Sequence, residues 1–225
     1  MLNTFKSGRS ACDFCDEFAG GRKNGYIHRY GESSSRVILG TPGFRIVPTL
    51  GQIAEGHLLI VPLDHVCALA DLPLDEIVRL EDLCQYVRSI LADTYGECIF
   101  FEHGIRNERS GGCGIDHAHM HAVPVPLRAA PTRLRETFQG STIGRLAEIK
   151  IEVPDSSYIF FEDCSGSRSV FTIDCIPSQY MRMLIAESIG KNDWDWRKSG
   201  YEAELVSAVG RLLPLFSPVT PAQGR

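Results

Sequence analysis

The segment GGCGIDHAHMHAVPV, residues 111–125, places His117, His119 and His121 at alternating positions. The chain has seven histidines, so nearly half of them fall within five residues. In a β-strand, side chains at i, i+2 and i+4 share one face. The three imidazoles therefore line one side of a strand, and Ala118, Met120 and Ala122 line the other. That second face is small and apolar, suited to packing on a helix. The imidazole face is open to two chemical readings. One is a metal site built from the three rings. The other is nucleophilic attack on phosphorus, because a neutral ring nitrogen is a good nucleophile near neutral pH. The glycine-rich run SGGCG just upstream would let backbone N–H groups approach a phosphate without steric block.

Working outward, ECIFFEHG (97–104) reads as the preceding strand, and DLPLDEIVRLEDLCQYVRSILADTYG (71–96) as the best helix in the chain. Leu80, Leu83, Cys84, Val87, Ile90 and Leu91 recur at helical spacing, and Gly96 ends the pattern. GHLLIVP (56–62) is a short apolar strand closed by Pro62, and RVILGTPGFRIVPTL (36–50) reads as a hairpin broken at Gly-Thr-Pro-Gly. Composition shifts around 127–133, where a boundary is expected between residues 1–127 and an extension, 128–225. In the extension, SSYIFFED and SRSVFTID suggest two strands joined by a turn. Residues 177–190 and 201–216 suggest two helices. Strands returning by short turns around a long helix predict an α+β fold.

Composition narrows the function classes. A net charge of −5 argues against a nucleic-acid partner, which favours a basic footprint. No apolar run is long enough to span a bilayer, and the N-terminus has no secretion-signal pattern, so a cytoplasmic protein is expected. Cys67, Cys84 and Cys98 lie singly in apolar segments and read as small buried hydrophobes, whereas Cys12 and Cys15 form a C-x-x-C pair.

Three of these features together carry a resemblance. HAHMHAV resembles the H-φ-H-φ-H-φ-φ motif of the histidine triad (HIT) superfamily, where φ is apolar. GHLLIVPLDH is similar to that family's G-H-x-L-[IV]-x-P-x-x-H strand, and CDFC to the C-x-x-C of its zinc-containing members. The matches run in order over residues 12 to 126, a little over half the chain.

The resemblance implies an antiparallel HIT-like sheet with a long helix, followed here by a C-terminal α/β extension. It implies that His119 attacks the α-phosphorus of a nucleotide conjugate, forming a nucleotidyl-histidine. His121 would hold phosphate oxygens and assist the leaving group, and backbone donors around Gly114 and Ile115 would bind the phosphate. Cys12, Cys15, His65 and His117 match the family's ligands for a structural zinc ion. His57 matches a family histidine near the active site. A homodimer is a common family arrangement. The triad ends in histidine, which fits the hydrolase and phosphorylase-like branches; the uridylyl-transferring branch typically ends in Gln.

The sequence also departs from the pattern. Thr49 stands where many members carry an acidic residue that grips the ribose hydroxyls. Glu102 aligns with an Asn and, with Thr49 and His57, is expected to contact the substrate, while Gly114 aligns with Ser or Thr. The loop before the triad is longer and carries Arg106 and Arg109. His103 closes its strand beside the triad, where a substrate-facing position and a plain surface position are equally open readings. Trp194, Trp196 and Arg197 cluster in the extension and read mainly as a packing corner. Two other functions compete with the phosphorus chemistry: a non-catalytic ligand-binding module on the same scaffold, and a zinc enzyme that uses all three triad histidines as ligands.

Overall fold

The structure is a computed structural model that describes residues 12–19, 36–106, 115–198 and 202–216. Gly114 and Arg109 lie outside the described residues. The helices are α1 (Asp13–Phe18), α2 (Leu74–Tyr95), α3 (Thr132–Thr137), α4 (Ile149–Glu152), α5 (Tyr180–Ser188) and α6 (Glu202–Leu212). The strands are β1 (Leu39–Gly40), β2 (Phe44–Pro48), β3 (Leu58–Pro62), β4 (Ile99–Gly104), β5 (Met120–Val123), β6 (Gly140–Ile143), β7 (Ser157–Glu162) and β8 (Arg168–Ile173). Among the described residues these eight strands form one sheet, in the order β1-β2-β3-β5-β4-β7-β8-β6, with every pair antiparallel. The fold is α+β, as the strand-and-helix pattern predicts.

The pleat of this sheet sorts the side chains. On one face, Ile46, Leu58, Ile60, Phe100, Met120, Ala122 and Phe160 pack in a single core with Ile77, Leu80, Cys84, Val87 and Leu91 of α2. Those helix residues recur every three or four positions, so α2 presents a continuous apolar stripe. Each such side chain, fully buried, contributes about 1.5–3 kcal/mol. The helix begins after Pro73 and carries Asp75 and Glu76 in its first turn, where the helix dipole favours negative charge. It ends at Gly96, whose φ of 96° favours a residue without Cβ.

The other face carries two separate coverings. Phe14 of α1 packs on Val47, Leu59 and Val61. Farther along, Met181, Leu184 and Ile185 of α5 pack on Phe101, Ile159, Phe161 and Phe171. The triad lies between these two coverings.

The histidine segment differs from expectation in one respect. The strand starts only at Met120, and His117 and Ala118 precede it. The ladder with β3 stops at Ile60↔Met120, two residues before Pro62, which has no N–H to donate. Beyond that point Ala118 N–H instead donates to Val66 O at 2.7 Å.

The extension continues the same sheet rather than standing apart from it. β7 pairs with β4 from Phe100↔Glu162 to Gly104↔Tyr158. Glu162 accepts from Arg88 of α2 and, at 2.7 Å, from Arg168 Nε of β8, while Arg168 also bonds Glu81. This ion network joins α2 to β7 and β8. The extension also holds elements that its sequence did not announce: α3, α4 and the edge strand β6.

At the Gly104↔Tyr158 pair a Cβ on residue 104 would lie 2.2 Å from the tyrosine ring. Tyr158 is fully buried, its hydroxyl donating to Glu102 at 2.7 Å and accepting from Ala70 N at 3.1 Å, so it has nowhere to move. Gly104→Ala is expected to destabilise the fold by about 1–3 kcal/mol, the usual cost of overpacking. Urea denaturation would show this as a lower midpoint with an unchanged slope.

Candidate active site and metal centre

Each triad histidine has a backbone or side-chain partner that fixes its proton. His119 Nδ1 lies 2.7 Å from His117 O. A carbonyl only accepts, so Nδ1 carries the hydrogen and Nε2 keeps its lone pair. Burial lowers the pKa of His119 to about 4, with the positive charges of Arg182 and Arg36 acting in the same direction and the bond to His117 O opposing. The ring is therefore neutral at pH 7 and its Nε2 is a free nucleophile.

His121 lies in β5, opposite Leu59 of β3 and Phe101 of β4. Its ring stacks on Phe101 at 4.2 Å and 8°. His57 Nε2 is 2.9 Å from His121 Nδ1, and Ile53 N–H donates to His57 Nδ1 at 3.5 Å. His57 Nδ1 thus accepts, its Nε2–H donates to His121 Nδ1, and His121 is left with a hydrogen on Nε2. Burial, reinforced by neighbouring histidines and Arg182, holds His57 and His121 well below the ordinary histidine pKa. His119 thus presents a lone pair and His121 a donor, with ring centroids 4.7 Å apart. The pair is nearly closed from solvent, His119 being 9% exposed and His121 6%.

His117 turns the other way. Its Nε2–H donates to Pro62 O at 2.9 Å, which leaves Nδ1 as the free ligand atom. That atom lies 3.3 Å from Cys12 Sγ and 3.6 Å from Cys15 Sγ, and His65 Nδ1 lies 3.4 Å from Cys15 Sγ. Ligand atoms of Cys12, Cys15, His65 and His117 all fall within 4.8 Å of one another. The quartet can hold a metal ion, and the bond from His117 Nε2–H to Pro62 O fixes the tautomer that a ligand needs. Burial, followed by the hydrogen bond and charge of Cys12, pushes the Cys15 thiol up to about 11. Two adjacent thiolates need a cation between them, which is what such a site supplies. The ligands also place α1, because Cys12 caps it and Cys15 lies within it.

His121 thus lies in β5, while His57, His65, His117 and His119 sit just outside the ends of β3 and β5, and Cys12 and Cys15 stand at the start of α1 and within it.

Residues 32–139 match the family model described as "Protein similar to CwfJ C-terminal". That segment includes the HIT motif and His65 but begins after Cys12 and Cys15. The chain is similar to "CWF19-like protein 1" of Xenopus laevis, 26% identical over 172 residues, covering 68% of this chain and 30% of the relative. It is also similar to the Mus musculus protein of that name, 22% identical over 179 residues, covering 72% and 31%. The chain thus spans about a third of the length of the curated relatives it matches. Among solved structures, a zinc-bound histidine triad family protein from Mycobacterium smegmatis aligns at 17% identity and a TM-score of 0.39, covering 51% of this chain and 74% of that one. A HIT-family member from Bacillus subtilis aligns at 19% and 0.39, covering 51% and 73%.

The sheet and its flanking loops bring together most of the residues that the sequence singles out. Thr49 N–H donates to His57 O at 3.0 Å, and the Thr49 hydroxyl donates to Leu50 O at 3.1 Å. Ile115 is half-buried against Phe14, which also sets its ring edge against His119 at 5.5 Å. Glu102 is the exception and corrects the expectation of a substrate contact. It is fully buried on the α2 face, where its carboxylate accepts from Leu69 N at 2.6 Å and from the Tyr158 hydroxyl at 2.7 Å. Because Phe101 pairs with His121, alternation sends the next residue away from the triad and His103 towards it. His103 Nε2 accepts from Met181 N at 3.3 Å.

Trp194 packs against the α5 core and Trp196 against Leu50 and Leu205, consistent with a packing corner. Arg182 of α5 has no motif around it, yet its charge bears on His57, His119 and His121. No helix among the described residues is long and apolar enough to cross a membrane.

Two measurements follow from this geometry. Elemental analysis of the purified chain should give one metal ion per molecule, and Cys12→Ala with Cys15→Ala should abolish it. Chelation should lower the melting temperature by about 5 °C, corresponding to about 2 kcal/mol for a chain of this size.

Burial raises Glu102 from 4.5 to about 8, with the bonds from Leu69 and Tyr158 opposing. Below pH 4.5 both folded and unfolded states hold that proton, so this carboxyl's contribution to stability is full. As pH rises to about 8, only the unfolded state releases it, and that contribution is lost. Glu102→Gln should flatten this slope in urea denaturation run across that range.

Proposed function

We propose that this chain acts at the phosphorus of a nucleotide conjugate through a covalent histidine intermediate, as a hydrolase or nucleotidyltransferase. The observation that carries this reading is the bond from His119 Nδ1–H to His117 O, which leaves Nε2 unprotonated and aimed as a nucleophile. In the first step the Nε2 lone pair forms a bond to the α-phosphorus, and the bond from phosphorus to the leaving group breaks. His121 Nε2–H hydrogen-bonds a phosphate oxygen or the departing oxygen, which leaves as its anion, with His57 holding the ring in that tautomer. In the second step the oxygen of water or another acceptor bonds to phosphorus and its proton passes to solvent, while the phosphorus–nitrogen bond breaks and returns its electron pair to His119 Nε2. Covalent catalysis of this kind replaces one difficult displacement with two easier ones. Backbone donors near Gly114 and Ile115 would stabilise the charge that develops on the phosphate.

In this reading Cys12, Cys15, His65 and His117 hold Zn²⁺. Four protein ligands close the coordination sphere, so the ion is structural and fixes His117 beside the nucleophile. The alternative in which His117, His119 and His121 jointly bind a catalytic metal has less support, because His117 Nδ1 turns to the thiols and His121 carries its hydrogen on Nε2.

A second reading, a ligand-binding module without turnover, rests on Thr49. Its hydroxyl donates to Leu50 O and cannot accept from two ribose hydroxyls as a carboxylate would.

A panel of nucleotide conjugates with good leaving groups separates the two readings. On the catalytic reading the wild-type chain turns over at least one of them, acid-quenched protein gains the mass of a nucleotidyl group, and His119→Ala lowers kcat by about three orders of magnitude or more. Full activity in His119→Ala would overturn the nucleophile assignment. Binding without turnover or trapped adduct would favour the binding module.

A further inference from the structure

The C-terminal extension touches the triad neighbourhood at two adjacent residues of α5. Met181 N–H donates to His103 Nε2 at 3.3 Å. Arg182 donates through Nη2 to Gly51 O and through Nε to Trp194 O at 3.0 Å. Arg182 is only 4% exposed, an uncommon position for a guanidinium, and its planar fork joins two chain segments that no secondary structure connects.

Gly51 lies in the turn that leads from β2 to β3. Its φ of 59° is a left-handed conformation favoured by glycine. The same turn carries Thr49, whose N–H bonds His57 O, and Ile53, whose N–H bonds His57 Nδ1. His57 in turn meets His121 at 2.9 Å. A continuous set of contacts therefore runs from the 194–196 turn through Arg182 to the Gly51 turn, then to His57 and His121. The extension's end of this chain is itself braced, since Gln179 Nε2 donates to Asp195 Oδ1 at 2.8 Å and Trp196 N–H donates to Gln179 Oε1 at 3.2 Å.

We infer that Arg182 is a positioning residue for the triad: it clamps the Gly51 turn so that His57 holds His121 with a hydrogen on Nε2. The extension is thereby a working part of the phosphate site. This rests on the reading of His119 and His121 given above, and it adds a residue from a segment outside the HIT motif. The closeness of the guanidinium to both rings is also visible electrostatically: after burial, its charge is one of the influences that keep His57 and His121 neutral. Loss of the clamp would free the turn, lengthen or break the His57–His121 bond, and let His121 exchange tautomers or rotate. His119 would keep its own bond to His117 O and remain a nucleophile. The expected defect is thus in kcat, through poorer leaving-group assistance, with smaller change in KM.

The test uses the full chain in three forms: wild type, Arg182→Met, which fills the volume without donors, and Arg182→Lys, which keeps a charged donor. The first readout does not depend on activity. Nitrogen-15 NMR of the histidine rings should show a protected N–H between His57 and His121 in the wild type, assigned through loss in His57→Gln. In Arg182→Met that signal should vanish or exchange rapidly while the His119 Nδ1–H signal persists. Arg182→Lys should recover it in part.

The second readout is turnover of a p-nitrophenyl ester of a nucleoside 5′-monophosphate, for which kcat should fall at least tenfold in Arg182→Met with KM changed less than threefold. A His57–His121 signal unchanged in Arg182→Met would overturn the inference and leave the nucleophile assignment standing. Equal loss of the His119 signal would also overturn it, by showing general collapse rather than positioning. If Arg182→Met does not fold, Arg182→Lys decides the matter by the same signals. If the wild type turns over no probe, the catalytic reading fails, and the ring signals still judge the clamp.

Discussion

The constraint on which this molecule depends is the pleat of its central strands. Successive residues of β4 and β5 must face opposite sides, so one side can be apolar and the other chemical. Met120 and Ala122 enter the α2 core, while His121 stacks on Phe101 on the reverse face. Shifting either strand by one residue would exchange the two sets and place imidazoles against Leu80 and Val87. The register Phe101↔His121 is therefore both a folding requirement and the condition for a site.

Within that frame, each histidine's role follows from which acceptor or donor its ring nitrogens find. His117 gives its Nε2 hydrogen to Pro62 O and turns Nδ1 to the thiols. His119 gives its Nδ1 hydrogen to His117 O and keeps Nε2 free. His121 accepts at Nδ1 from His57. Three chemically identical side chains at a spacing of two thereby become a metal ligand, a lone-pair donor and a proton donor. The distinction lies in the carbonyl of Pro62, the carbonyl of His117 and the ring of His57.

The triad was legible in the sequence because alternation is the geometry of a strand, and the Cys/His quartet because the C-x-x-C pair and the GHLLIVPLDH strand resemble the family's ligand pattern. The long helix was legible from its apolar spacing. Glu102 was not read correctly, since a linear alignment cannot show which of two consecutive polar residues faces the site; only pairing with β5 selects His103. Arg182 was invisible for a different reason. A buried arginine bonded to main-chain carbonyls needs no particular neighbours in sequence, only a turn and a helix brought together by the fold. The short elements α3, α4 and β6 escaped because brief apolar runs do not distinguish helix from strand.

The ladder between β4 and β7 has a further meaning for the whole surface. Phe100, Phe101 and Ile99 stand on a strand that would otherwise be an edge, with backbone donors and acceptors open to any passing chain. Edges of that kind are templates for sheet-to-sheet association. A chain ending near residue 127 would carry the entire triad and yet expose this apolar border. The extension moves the sheet's border outward to β6, where Gly140, Ser141 and Thr142 are exposed and polar or small.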